Sequence, residues 1–402
     1  MSGLARYLTA AVLVRGADSG ATVGLVLLAA HQRLPPVMGG LLIAALNAPH
    51  LLGPWLAARL DKAVQRPRLL AAAYLLYGTA LSGGALAITR LPAIVALLAV
   101  GVAGCCGPLL TGGLSSVLDD LGASRRNQGW DALSYGIGGT AGPAAVAGLA
   151  GLTGPLAAVL GLAAATLVAS ALILTLPLGD APAHRGPVGL RAGLKSLVAV
   201  PPLRRVTVLT LLSAVQLGAL PVVAVALGHE LYDTATAGAA LTVAYGAGSL
   251  AGSALVTAWP LRGEPEILAV RLFASLAVVT VLCALTTSYP TAITGFAVLG
   301  LLNATSFTAT LTARTRYAPP GARAQVFVTS AGLKVAMAAL GAALAGAAAE
   351  LGGHALLICT AAITLTAVAT ALLDRRLTAR KHRRREHAHV AAEPPQGRTS
   401  GV

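Results

Sequence analysis

Arg15 and Asp18 stand three residues apart in an otherwise apolar stretch, with Ser19 and Thr22 continuing the same helical face. Ionisable groups are expensive in lipid, so such a pair marks a cavity or an ion path. Two readings fit: a self-neutralising structural pair, or an Asp18 that takes up and releases a proton. Lys334 follows Ser330 by four residues in another apolar stretch. Its ammonium can hold an anionic substrate group, alternate with a proton, or snorkel to the near surface. Asp131 and Tyr135 are four apart where a further stretch begins, and Asp131 reads there as structural, near the headgroups. Asn47, His50, Gln216, Tyr245 and Asn303 are single polar residues in apolar runs. Each either lines a cavity or makes an interhelical hydrogen bond, and His50 has a side chain that titrates near neutrality.

The elements that position these residues follow from composition. The chain has 402 residues, 56% of them hydrophobic and 11% charged, with a mean hydropathy of +0.77. Soluble domains carry about 25% charged residues. Apolar runs long enough to cross a bilayer recur at 8–30, 37–58, 69–89, 92–117, 130–152 and 155–177, and again at 205–227, 236–257, 267–287, 290–312, 326–349 and 353–373. The expected fold is all-α and integral to the membrane, with twelve transmembrane helices in two pseudo-symmetric six-helix bundles.

The net charge of +15 is distributed as topology requires. Basic residues fall in alternate loops: Arg59 to Arg68, Arg125-Arg126, Arg185 to Arg205, Arg314 to Arg323 and Arg375 to Arg385. The intervening loops hold little beyond Arg33 and Arg90, and one is acidic (Glu230, Asp233). Lys/Arg-rich loops stay inside, which places both termini in the cytoplasm of a multi-pass cell-membrane protein and argues against a nucleic-acid partner. Arg15 and Asp18 interrupt the apolar core a cleavable signal would need, so the first helix is retained. Cys105, Cys106, Cys283 and Cys359 all fall within spans and form no disulfide framework or metal-ligand spacing. The tail 374–402 is basic and expected to be disordered, with a cluster suited to anionic lipid; His382, His387 and His389 within it are weak as metal ligands.

The chain divides into an N-terminal bundle (1–177), a cytoplasmic inter-bundle loop (178–204), a C-terminal bundle (205–373) and the tail. Leu190 to Val200 within the loop is expected to form a short surface helix with its apolar side towards lipid. The halves echo each other, Arg125-Arg126-Asn127-Gln128 against Arg323-Ala324-Gln325. Such duplication is a transporter architecture, with the substrate site between the halves.

Gly53-Pro54, Asp61-Lys62, Arg66 and Arg68, between the second and third spans, resemble the signature turn of the major facilitator superfamily, with Ala57 where that family usually has glycine. The resemblance covers essentially the whole chain. It implies a conformational latch in which Asp61 faces the start of the eleventh helix near Gln325-Val326, while Lys62, Arg66 and Arg68 meet Asp119 or Asp120 at the end of the fourth. A carboxylate there would also meet the positive end of a helix dipole. Gly129, Gly138 and Gly142-Pro143 are similar to the antiporter motif of the family's exporters, although Val146-Ala147 replace its final glycine pair. Small residues four apart also make an ordinary packing seam. Drug antiporters of this family usually carry an arginine in the fourth helix, whereas Ala93 to Val117 contains no basic residue.

No phosphate-binding loop, metal site or nucleophile arrangement is present, so neither an enzyme nor a cofactor is expected. The expected function is export of a small organic compound, a drug or secondary metabolite, by alternating access with proton antiport, by a protein acting as a monomer. The alternatives are proton-symport uptake of a sugar, organic acid or other nutrient, and a non-transporting membrane sensor or scaffold on the same fold.

Overall fold

The computed structural model describes residues 3–392 apart from 62, 64, 117, 119–124, 177–189, 234 and 320–322. The first bundle is built from α1 (Gly3–His31), α2 (Pro36–Asn47), α3 (Gly53–Asp61), α4 (Arg66–Arg90), α5 (Ala93–Pro108), α6 (Leu114–Ser116), α7 (Arg125–Thr153) and α8 (Pro155–Leu174). A 3-10 turn at Ala48–Leu52 joins α2 to α3 into one rod, and a π-helical turn at Leu109–Gly113 joins α5 to α6. After the short α9 (Leu190–Ala199), the second bundle comprises α10 (Pro201–Tyr232), α11 (Ala235–Ala258), α12 (Pro265–Ala284), α13 (Tyr289–Tyr317), α14 (Arg323–Ala347) and α15 (Gly353–Ala392). Twelve rods result among the described residues. Among the described residues ten helices, α5 counted with its π-helical turn, are long and apolar enough to span a membrane, and α2 with its turn supplies a shorter apolar segment.

Prolines at Pro36, Pro155, Pro201, Pro265 and Pro290 stand in the first turns of their helices, where the missing backbone donor costs nothing. The helices are apolar on all sides, as burial against protein on one face and lipid on the other demands. Leu98, Leu152, Val168 and Leu282 point outward, while Tyr7, Tyr74, Tyr77 and Phe296 are fully buried within the bundles. In the first bundle α1 packs on α7 and α8, and α4 on α5 and α8. In the second, α10 packs on α14 and α15, and α11 on α13. The bundles meet chiefly through α2 with α14 and α7 with α11.

Two glycine contacts set the geometry. A Cβ on Gly142 of α7 would overlap the carbonyl oxygen of Gly16, so α1 and α7 touch backbone to backbone within the first bundle. A Cβ on Gly40 of α2 would overlap Ala342 O and sit 2.8 Å from the Cα of Gly346. That second contact joins the two bundles, at the end of the molecule away from the chain termini. An apolar recess of about 450 Å³ opens beside it, lined by Gly39, Val26 and Leu34 from one half and Val225 and Ala226 from the other.

Three expectations need correction. The tail is helical from Asp374 to Ala392 as a continuation of α15, because its Arg, Lys, Leu and Ala residues are good helix formers and no proline intervenes before Pro394. The helix in the inter-bundle loop does not turn its whole apolar side outward: Leu197 is buried with Leu203, Ala318 and Val326, while Leu194 and Val198 are exposed. Arg314, assigned to a loop, belongs to α13, which runs past the expected end at 312 to Tyr317. Near the chain termini, Arg205 pairs with Glu266 at 2.8 Å and Asp374 at 3.2 Å, tying α10 to α12 and α15.

Candidate functional site

A cavity of about 510 Å³ lies between the bundles. Asp18, Ser19 and Thr22 of α1, Asn47 of α2 and Pro143 of α7 line it from the first half. Tyr245 of α11, Arg314 of α13 and Lys334 of α14 face it from the second. The i, i+4 spacing of Asp18 and Thr22 turns them to the same side of α1, whereas Arg15 follows a different course.

Arg15 does not pair with Asp18. It pairs with Asp131 of α7 at 2.9 Å, donates to the backbone carbonyl of Asp131 at 3.0 Å, to Ser115 Oγ at 2.8 Å and to Ser134 Oγ, and stacks 3.5 Å from the Tyr135 ring centroid. Tyr7 and Ser115 donate to the Asp131 carboxylate at 2.7 and 2.9 Å. The close α1–α7 seam at Gly16, Gly138 and Gly142 presents Arg15 to Asp131 across it. This buried network belongs to the first bundle, and within it the Arg15 Nε is left without a hydrogen-bond partner. Asp131 is therefore the buried counter-ion of Arg15 rather than a headgroup anchor.

Asp18 is left with a different partner, the Tyr77 hydroxyl, which donates to its Oδ1 at 3.3 Å. Among the described residues no cation lies within ion-pair distance of Asp18. Lys334 places its ammonium 4.3 Å from the Phe307 ring centroid, and Phe307 also lines the cavity. Arg314 donates through Nη2 to Thr210 Oγ1 at 2.9 Å. Asn303 borders a small cleft that it shares with Ser213, Phe307 and Lys334.

The other expected site residues lie away from the cavity wall. Gln216 donates to Thr280 Oγ1 at 2.7 Å and accepts from Thr364 Oγ1 at 2.7 Å, which makes it a clamp between α10, α12 and α15. His50 packs its ring against Gly107 of α5, and Tyr135 serves the Arg15 network. Gly53 begins α3 and faces Pro108. Arg66 is buried, and Arg68 donates to Gln65 Oε1. Lys62, Asp119 and Asp120 lie outside the described residues, as do the side chains of Pro54, Asp61 and Gln325 and the surroundings of Gly129. Tyr77, Phe307 and Arg314 were not singled out by the sequence. Tyr77 and Phe307 look like core aromatics there, and Arg314 like a loop charge.

Two helical bundles around a shared polar cavity, with apolar outer faces, define a multi-pass α-helical membrane protein of transporter architecture. The sequence matches the Major Facilitator Superfamily over residues 7–326, and the chain belongs to that family, whose members are transporters and not, in general, enzymes. Among solved structures, the nucleoside transporter NupG is similar with a TM-score of 0.74 at 11% identity, covering 93% of this chain and 99% of that one. A bacterial homolog of the human lysosomal transporter Spinster, inward-facing and unoccupied, gives 0.70 at 15% identity, covering 92% and 96%. A POT family transporter in complex with a thioalcohol-conjugated peptide gives 0.71 at 12%, covering 92% and 95%. At these identities the likeness concerns the fold. No curated protein matches the sequence.

Proposed function

We propose that the protein is a proton-coupled secondary transporter of a small organic compound. It works by rocking its two six-helix halves, 1–177 and 205–373, about the central cavity. One observation carries this: Asp18 lines the cavity and is hydrogen-bonded to Tyr77, with no cation among the described residues within ion-pair distance of it. A carboxylate in that position exchanges a proton in step with what the cavity holds. The positive loops put both termini in the cytoplasm of a cell-membrane protein, and Arg375, Arg376 and Arg380 on α15 suit anionic lipid. Gly53, Pro54 and Asp61 with its basic neighbours act as the latch between states, and the transporting unit is one chain.

Direction has two readings. Export in exchange for protons is the one that Gly129, Gly138, Gly142 and Pro143 suggest by likeness to the family's exporters. Gly138 and Gly142, however, serve α1 packing that an importer needs equally. Cotransport is favoured by the cavity's charges. Asp18 is its one described lining carboxylate and Lys334 and Arg314 face it, so protonating Asp18 removes the charge that would repel an anion. Proton and organic acid would then load together.

Purified protein in proteoliposomes distinguishes these readings. Organic acids, sugars, lipophilic cations and amphiphilic antibiotics are added outside while external pH is followed. Cotransport alkalinises the medium as solute enters, and exchange acidifies it. Asp18→Asn is expected to abolish the pH change while solute counterflow persists. A pH change that survives Asp18→Asn removes Asp18 from coupling. Neither pH change nor counterflow with any solute, in folded protein, would favour a sensor or scaffold.

A further inference from the structure

Cations buried in a membrane protein meet acids, and in this chain Arg15 and Arg205 do so, through Asp131, Glu266 and Asp374. Lys334 and Arg314 are different. Both line the cavity, and among the described residues neither has a carboxylate within ion-pair distance. Arg314 is only 3% exposed, yet among the described residues its side chain's one hydrogen-bond partner is the Thr210 hydroxyl. One hydroxyl beside Lys334 is also unpartnered: Ser213 Oγ, in the small cleft that Lys334 borders.

Each of these three groups can donate a hydrogen bond, and two are cationic side chains. Asp18, the cavity's one described carboxylate, lies on the other half and pairs with neither. Burying two cations without compensation is costly, and the cost falls when an anion enters. The planar guanidinium of Arg314 suits a two-oxygen acceptor, and the ammonium of Lys334 adds a point charge beside it. Phe307, under the Lys334 ammonium, helps to hold that charge at the cavity wall.

We infer that Lys334 and Arg314, with Ser213 beside Lys334, form a binding site for the oxyanion group, a carboxylate or phosphate, of a small organic solute. That the bound anion is the transported solute rests on the transporter reading; the binding site itself does not. The cavity, at about 510 Å³, has room for a small organic anion as a whole.

Matched probes test the site on the purified full-length protein in detergent. Benzoate and phenyl phosphate are the anions, benzamide the neutral counterpart and benzylamine the cation, read by isothermal titration and by thermal stabilisation. At least one anion is expected to bind about tenfold or more tightly than benzamide and benzylamine, and the better of the two identifies the preferred oxyanion. Lys334→Gln and Arg314→Gln are each expected to weaken that binding about 10- to 100-fold, the range for a charge-assisted hydrogen bond, whereas Lys334→Arg retains it. Among the described residues the Lys334 side chain makes no hydrogen bond, so Lys334→Gln carries the test should Arg314→Gln fail to fold. Equal binding of all charge types, no binding of either anion, or an anion affinity unchanged by Lys334→Gln overturns the proposal. In proteoliposomes, an anion that binds through Lys334 but is never moved contradicts the transporter reading and leaves the site standing. Accumulation of benzylamine with no anion binding does the reverse.

Discussion

Gly40→Val is expected to stop turnover without unfolding the protein. Gly40 and Gly346 bring α2 and α14 into backbone contact between the halves, and any Cβ at position 40 overlaps Ala342 O. In an alternating-access cycle this contact would exist only in the state closed at the end away from the termini. The clash therefore penalises one state and leaves the other untouched. Overpacking of this kind costs about 2 kcal/mol, roughly a 30-fold shift in the ratio of the two states. The shift can be read with a cysteine at Ser19 in a background lacking Cys105, Cys106, Cys283 and Cys359. Its labelling by an impermeant thiol reagent from the far end should rise in Gly40→Val. Gly142→Val is the control, because its clash with Gly16 lies inside one bundle and should lower thermal stability instead. Unchanged labelling together with normal transport in Gly40→Val would show that the α2–α14 seam does not open.

Asp131→Asn is expected to be the most destabilising conservative change in the first bundle. It leaves Arg15, 2% exposed, without its counter-ion. Removing one partner of a buried pair costs about 3–5 kcal/mol. The Ser115, Ser134 and Tyr135 contacts of Arg15 persist, so the low end of that range applies. Arg15→Met combined with Asp131→Leu should recover much of the loss, since no charge is then left buried. Thermal unfolding in detergent measures both. Additive losses in the double variant would mean that the two residues act independently, contrary to the network described here.

The fold was legible because lipid imposes it. Apolar runs of bilayer length and the basic loops between them define the rods, and first-turn prolines mark several of their starts. Partnerships across helices were not legible. Arg15 and Asp18 are three apart on one helix, and spacing alone pairs them. The pairing is decided instead by the glycine seam between α1 and α7, which brings in Asp131 from 116 positions along the chain. The same limit hid Tyr77 behind Asp18 and turned Gln216 from a cavity candidate into a clamp between three helices. Arg314 was missed because its position beside Arg316 reads as a loop, and only the true length of α13 brings it to the cavity wall. Lys334 was visible from the start, since a lone ammonium deep in an apolar helix has few structural uses.

The central claim is that the halves rock about the cavity in response to a proton at Asp18. The direct measurement is the distance between spin labels at Gln32 and Leu351, both exposed in turns on opposite halves at the end away from the termini, in the cysteine-free background. A short and a long population are expected, in a ratio that changes between alkaline and acidic pH and that no longer responds in Asp18→Asn. A single distance, the same at both pH values and in both proteins, would contradict that claim.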